Sequence, residues 1–222
     1  MLKILEQLLD LIYKKPCYFC KNDSENSRFC STCFNKIKLL PCKPLTTINN
    51  VQIYCATSYK DNIVKMIRGV KYHNQKELAY FQAKLMYNYW TNLEISKSKF
   101  VIIPVPISDK RKKERKYNHM SLVATEFAKL TGYSINETLI RRIKDTKPQY
   151  KLDKKERAKN LKGAFIAQKE NFINLENQKL LIIDDVLTTG STVNELIKIL
   201  KSEKVNDITV FTTSCSEYNL SF

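Results

Sequence analysis

The stretch Lys179-Leu180-Leu181-Ile182-Ile183-Asp184-Asp185-Val186-Leu187-Thr188-Thr189-Gly190-Ser191-Thr192 organises the reading of the whole chain. Lys179 to Ile183 is apolar without alternation, the pattern of a short strand covered on both faces. Two adjacent carboxylates follow, then a hydroxyl-rich turn, then a run from Thr192 to Leu200 with helical spacing. In open α/β sheets ligands bind at the carboxyl ends of strands, where the next helix offers N–H groups to an anion. Thr188, Thr189, Ser191 and Thr192 add hydroxyls to those amides, and Gly190 lets the backbone approach closely.

Working outward, Ile208 to Thr213, Phe100 to Val105 and Val51 to Tyr59 read as further strands. Lys76 to Trp90 carries Leu78, Phe81, Leu85 and Tyr89 at helical spacing, and Ser121 to Leu130 is an amphipathic helix closed by Gly132. Strands alternating with helices predict an α/β fold, a Rossmann-like, mostly parallel sheet with flanking helices.

A simple helix cap accounts for a Thr or Ser at the turn but not for consecutive carboxylates before it. Asp184 and Asp185 would repel an isolated phosphate, so the ligand must also carry hydroxyls that donate to them or share a magnesium ion. A ribose 5-phosphate meets both requirements. The four glycines, Gly69, Gly132, Gly163 and Gly190, supply neither a G-x-G-x-x-G fingerprint nor a Walker A loop, which excludes dinucleotide binding and P-loop chemistry.

From Pro16 to Pro44 the composition shifts to cysteine, small polar residues and turns. Cys17-x-x-Cys20 and Cys30-x-x-Cys33 form two knuckles able to place four thiolates around one metal. Structural zinc in a closed tetrahedral site is the leading reading, with redox or iron–sulfur chemistry as the alternative. A closed site contributes folding energy rather than catalysis. Cys42, Cys55 and Cys215 are expected as buried thiols.

The chain has 222 residues, 43% hydrophobic and 27% charged, enough for one full domain plus a small module with a real core. Leu2, Leu5, Leu8, Leu9 and Ile12 form an amphipathic helical stripe expected to dock on the domain. Lys3, Glu6 and Asp10 interrupt that segment, and no apolar run approaches the ~20 residues of a membrane span. Neither signal peptide nor membrane insertion is expected, and the expected location is cytoplasmic, where spaced cysteine pairs favour metal over disulfides.

A net charge of +16 points to a polyanionic partner only where the charge clusters, because 31 lysines against 7 arginines also fits a compositional bias. It clusters twice. Lys110, Arg111, Lys112, Lys113, Arg115 and Lys116 are six basic residues in seven, and Arg141 to Lys159 holds nine basic against three acidic residues. Lysines there would make salt-sensitive backbone contacts to single-stranded DNA, with Tyr117 or Tyr150 stacking on bases; a solvated lysine-rich face is the bland alternative. His73 and His119 alone license no catalytic claim.

The strand, acidic pair and Thr-Gly-small-Thr turn resemble the signature of the type I phosphoribosyltransferases. That resemblance implies a phosphoribosyl pyrophosphate site in which Asp184 and Asp185 hold the ribose hydroxyls, Thr188, Thr189, Gly190, Ser191 and Thr192 bind the 5-phosphate, and Mg2+ accompanies the pyrophosphate. Together with the four-cysteine module, the chain resembles the ComF (GntX-like) family of competence-associated proteins. Lys71-Tyr72 is similar to that family's Lys-Phe pair, and Val101 to Pro106 and Asn160 to Phe165 match further segments. Arg115-Lys116-Tyr117-Asn118-His119 stands where the family usually reads Arg-Gly-Phe-Asn-Gln.

The resemblance implies residues 1–45 as helix and zinc module and 46–222 as the phosphoribosyltransferase-like domain, with Lys71 and Arg115 facing pyrophosphate. It also implies a part in DNA uptake for natural transformation, with a DNA-uptake helicase or other competence proteins as possible partners. Two alternatives stay open: a conventional salvage enzyme joining ribose phosphate to a nucleobase, and a non-catalytic module that senses ribose phosphate and binds DNA.

Overall fold

The computed structural model describes residues 15–145, 161–172, 175 and 177–216. The N-terminal stripe, Asn160 and most of the second basic segment, Tyr150 included, lie outside them.

Six strands form one sheet: β1 (Thr46–Ile48), β2 (Val51–Ser58), β3 (Val101–Pro104), β4 (Ser134–Ile135), β7 (Leu180–Leu187) and β8 (Ile208–Cys215). Their spatial order is β1-β2-β8-β7-β3-β4, with every pair parallel except β1 with β2. β5 (Ile140–Arg142) and β6 (Phe165–Ala167) pair separately as an antiparallel ribbon. Asn49 and Asn50, both at positive φ, make the tight β1–β2 turn, a conformation asparagine tolerates.

The α-helices among the described residues are α1 (Ser31–Asn35), α2 (Asp61–Tyr72), α3 (Leu78–Trp90), α4 (Asp109–Arg115), α5 (His119–Thr131) and α6 (Ser191–Ser202). Two apolar layers result, one on each face of the sheet. On one face Trp90 sits among Tyr54, Phe100, Phe127 and Phe211, with ring centroids 5.0–6.2 Å apart. On the other, Val193, Leu196, Ile197 and Leu200 of α6 close over Ile53, Ile182 and Val210.

Three features depart from the expectations. The central strand runs on to Leu187, so Asp184 and Asp185 keep extended backbone, with Asp184 in register with Thr212 of β8. The basic cluster at 110–116, read from the sequence only as a run of charge, is mostly the short helix α4, which Ser108 caps: its Oγ accepts from Arg111 N at 3.4 Å. Cys55 and Cys215 are buried, but Cys42 is exposed. It lies in the turn whose flanking carbonyls, of Pro41 and Lys43, both accept from the Tyr89 hydroxyl, which holds that turn at the surface. No helix among the described residues is long and apolar enough to cross a membrane.

Candidate functional site

The sheet order brings three chain segments to the carboxyl end of β7. Asp185 is buried there, and its Oδ2 accepts from Lys71 Nζ at 2.7 Å and meets His119 Nε2 at 2.9 Å. Lys71 comes from the last turn of α2, and His119 is the first residue of α5. Burial would lift the Asp185 carboxyl, but the Lys71 ammonium and the His119 hydrogen bond outweigh it and hold the group far below the usual carboxylate range. Asp184 is half-buried and accepts from the Asp185 N–H at 2.8 Å. Burial and the Asp185 charge push it up to about 7. The two acids therefore differ: Asp185 is a fixed anion, and Asp184 titrates near neutrality.

Lys71 is cationic because the Asp185 charge overcomes its burial and raises its pKa. His119 behaves oppositely. Burial, opposed by its bond to Asp185 and reinforced by the nearby Lys71 and Arg115 cations, pulls it down to about 4, so the ring is neutral at physiological pH. Its Nδ1 lies 3.3 Å from Arg115 Nη1. The Arg115 guanidinium also covers the exposed Tyr72 ring at 4.9 Å from its centroid. Between them, Lys116 occupies the left-handed region at φ 65°, the conformation its glycine counterpart adopts without strain.

Helix α4 sorts its charge by face. Lys110, Lys112, Lys113 and Lys116 are exposed, whereas Arg111 and Arg115, one turn apart, are half-buried, Arg115 against His119. Buried Arg142 of β5 joins them, its guanidinium 5.3 Å from the Phe165 centroid. Burial and the nearby Arg111 cation push Arg142 down to about 10, against the opposing charges of Asp145 and Asp184. Tyr117, a candidate for base stacking, is committed locally: its hydroxyl donates to Val70 O at 2.6 Å and Lys76 lies 4.9 Å above its ring. Lys76 and Tyr117 thus form a cation–π pair against the end of α2.

The turn after β7 enters α6 through Gly190, at φ 72°. Thr189 Oγ1 and Ser191 Oγ lie 2.9 Å apart, and Thr189 Oγ1 accepts the Ser191 N–H at 3.4 Å. A Cβ on Gly190 would sit 2.5 Å from Ile48 Cδ1, so strand β1 packs directly over this turn. Asn49 fastens the same edge, its Nδ2 donating to Asn194 Oδ1 at 2.6 Å and its carbonyl accepting from Lys201 Nζ at 2.7 Å. Thr188 to Thr192 all lie within this turn and the first turn of α6, as the motif requires.

Cys17, Cys20, Cys30 and Cys33 bring their Sγ atoms within 4.8 Å of one another. Cys17 Sγ accepts the Cys30 N–H at 3.5 Å. Although burial pushes the Cys17 thiol up, N–H groups of Cys20, Cys30 and Phe19 bring it down to about 6; burial and the neighbouring sulfurs push Cys33 up to about 12. Four sulfurs cannot all be anionic at this spacing without a cation, so the donor set fits a thiolate-bound metal. Phe29 of the module packs against Phe81 of α3, ring centroids 5.7 Å apart.

Comparison with known proteins accords with this geometry. The model of the phosphoribosyl transferase domain matches residues 129–214, the span holding β7, the turn and α6. Competence protein F of Haemophilus influenzae is 31% identical over 157 residues, 69% of this chain and 68% of that protein. The chain belongs to the ComF-like family. DNA utilization protein YhgH of Salmonella typhimurium, similar to this ComF-like chain, is 26% identical over 67% of the chain and 65% of that relative. A hypoxanthine phosphoribosyltransferase of Staphylococcus aureus aligns at TM-score 0.37 and 18% identity, over 62% of this chain and 65% of its own.

Two members of this ComF-like site escaped the reading of the sequence: His119 and Arg142. The signal for His119 was its place where the family carries glutamine, a residue with the same pair of donor and acceptor. Arg142 was hidden among nine basic residues, and its burial follows from its place in the β5–β6 ribbon.

Proposed function

We propose that the chain is a competence-type protein that binds phosphoribosyl pyrophosphate with Mg2+ at the carboxyl end of β7. Asp184 and Asp185 accept from the ribose 2- and 3-hydroxyls, and the amides and hydroxyls from Thr188 to Thr192 take the 5-phosphate. Lys71, Arg115 and Arg142 supply the positive field for pyrophosphate, and magnesium neutralises its charge when bound. The observation that carries the reading is the convergence of an acidic pair and a hydroxyl-rich helix turn on a cationic wall of Lys71, Arg115 and Arg142. Such a site stabilises an oxocarbenium-like ribose by electrostatic placement rather than by a covalent nucleophile.

Calorimetry with magnesium phosphoribosyl pyrophosphate tests the reading, with wild type compared to the Asp184→Ala, Asp185→Ala double variant. Binding that vanishes in the variant supports the site; silence in wild type overturns it. Turnover with nucleobases, read as pyrophosphate release, tests the salvage-enzyme alternative.

The exposed lysine face of α4 is the proposed track for single-stranded DNA, consistent with relatives described as competence and DNA utilization proteins. Lysine contacts to phosphates make binding fall steeply with salt. Zinc in the four-cysteine cluster is proposed as the structural metal.

A further inference from the structure

His119 touches both halves of the site and belongs to neither. The residue is 5% exposed, and its backbone is held independently of that pair of contacts. Asn118 caps α5, its Oδ1 accepting from Met120 N at 3.0 Å and its Nδ2 donating to Val105 O at 3.2 Å, so the backbone of His119 is fixed by its own helix.

The two neighbours then dictate where the ring carries its proton. Asp185 is an anion and can only accept, so Nε2 must donate to it; Arg115 is a guanidinium and can only donate, so Nδ1 must accept from it. The imidazole is a spacer with one donor end and one acceptor end, wedged between an acid and a base. Glutamine offers the same two functions at a similar reach, which gives a physical reason for the exchange at this position.

We propose that His119 is a positioning residue that couples Asp185, on the ribose side, to Arg115, on the pyrophosphate side, so that both halves of the site are set as one unit. The proposal rests on the ligand reading above. Removing the ring leaves Asp185 with Lys71 as its remaining side-chain partner of the pair and lets Arg115 settle on Tyr72 alone. Neither group is then aimed at its part of the ligand.

The test has two arms. In the first, magnesium phosphoribosyl pyrophosphate binding is measured for wild type, H119Q, H119L, H119M, R115M and the R115M/H119L double variant, each checked for folding by circular dichroism. H119Q should stay within about threefold of wild type, while H119L and H119M weaken binding about tenfold, the scale of a lost charge-assisted hydrogen bond. R115M/H119L should be weaker than R115M alone by no more than about threefold, because each change breaks the same link. An H119Q as weak as H119M, or fully additive losses, overturns the coupling. H119M supplies the apolar comparison should H119L fail to fold.

The second arm needs no ligand. Nitrogen-15 NMR of the His119 ring should show a protonated Nε2 and a bare Nδ1, with the Nδ1 resonance displaced in R115M. An Nδ1-protonated ring, or a resonance indifferent to R115M, overturns the proposal. Silence of wild type toward phosphoribosyl pyrophosphate instead overturns the ligand reading, and the NMR result alone then upholds or overturns the coupling.

Discussion

Asp184 and Asp185 are sequence neighbours on one strand with the same charge type, yet their environments push their titrations apart. The sign of the Asp184 effect is direct: its pKa in the folded protein, about 7, lies above that of the unfolded chain, so stability is fullest below the ordinary carboxylate range and declines as pH rises through 4 to 7. Asp184→Asn should therefore stabilise the protein by roughly 2–3 kcal/mol more at pH 8 than at pH 5, read as the difference in urea unfolding free energy. A variant equally stabilising at both values would contradict a raised Asp184. Lys116 offers a second residue-scale prediction. Because it holds the left-handed conformation, Lys116→Gly should stabilise the fold by about 1 kcal/mol, seen as a higher denaturation midpoint. The acidic pair, its turn and Lys71 were legible as a motif because each is a sequence-local pattern. The His119 contact was not, since it joins residues 66 positions apart and its meaning depends on the partner at each ring nitrogen.

Helix α4 has seven residues, too few to persist without help from its ends. Ser108 provides that help twice, capping the helix and donating to Asp145 Oδ1 at 2.7 Å, which ties the helix to the end of the β5 segment. Ser108→Ala should cost about 1 kcal/mol of stability and weaken pyrophosphate binding through a misplaced Arg115. Melting and inorganic pyrophosphate titration check the two effects separately. At the other edge, Gly190→Ala should destabilise the turn into α6 by about 1 kcal/mol and reduce affinity for a 5-phosphate, since the strain comes from the positive φ while the Ile48 methyl can rotate away. Hydrophobic pattern located most strands and helices, but helix α2 went unrecognised as a helix. Its apolar residues Ile63, Met66, Ile67 and Val70 are interleaved with Arg68 and Lys71, which break the visual stripe without breaking the periodicity.

For the molecule as a whole, the cysteine module and helix α3 share an apolar boundary through Phe29 and Phe81, so metal loading should report on global stability. Stripping the metal with a chelator should lower Tm by roughly 5–10 °C, and restoring zinc should recover it; an unchanged Tm would show that the knuckles hold without metal. The parallel arrangement of the sheet has a further cost in time. The Tyr54 carbonyl of β2 accepts from the Thr212 hydroxyl of β8, 158 positions later, so the earlier strand waits for a neighbour made much later. High contact order of this kind slows folding and leaves an open strand edge on the ribosome, whereas the cysteine knuckles can close as soon as Cys33 has emerged. A metal held by those four cysteines would therefore order the N-terminal module before β8 is made, so metal supplied during synthesis, as well as to the finished protein, should raise the yield of folded chain.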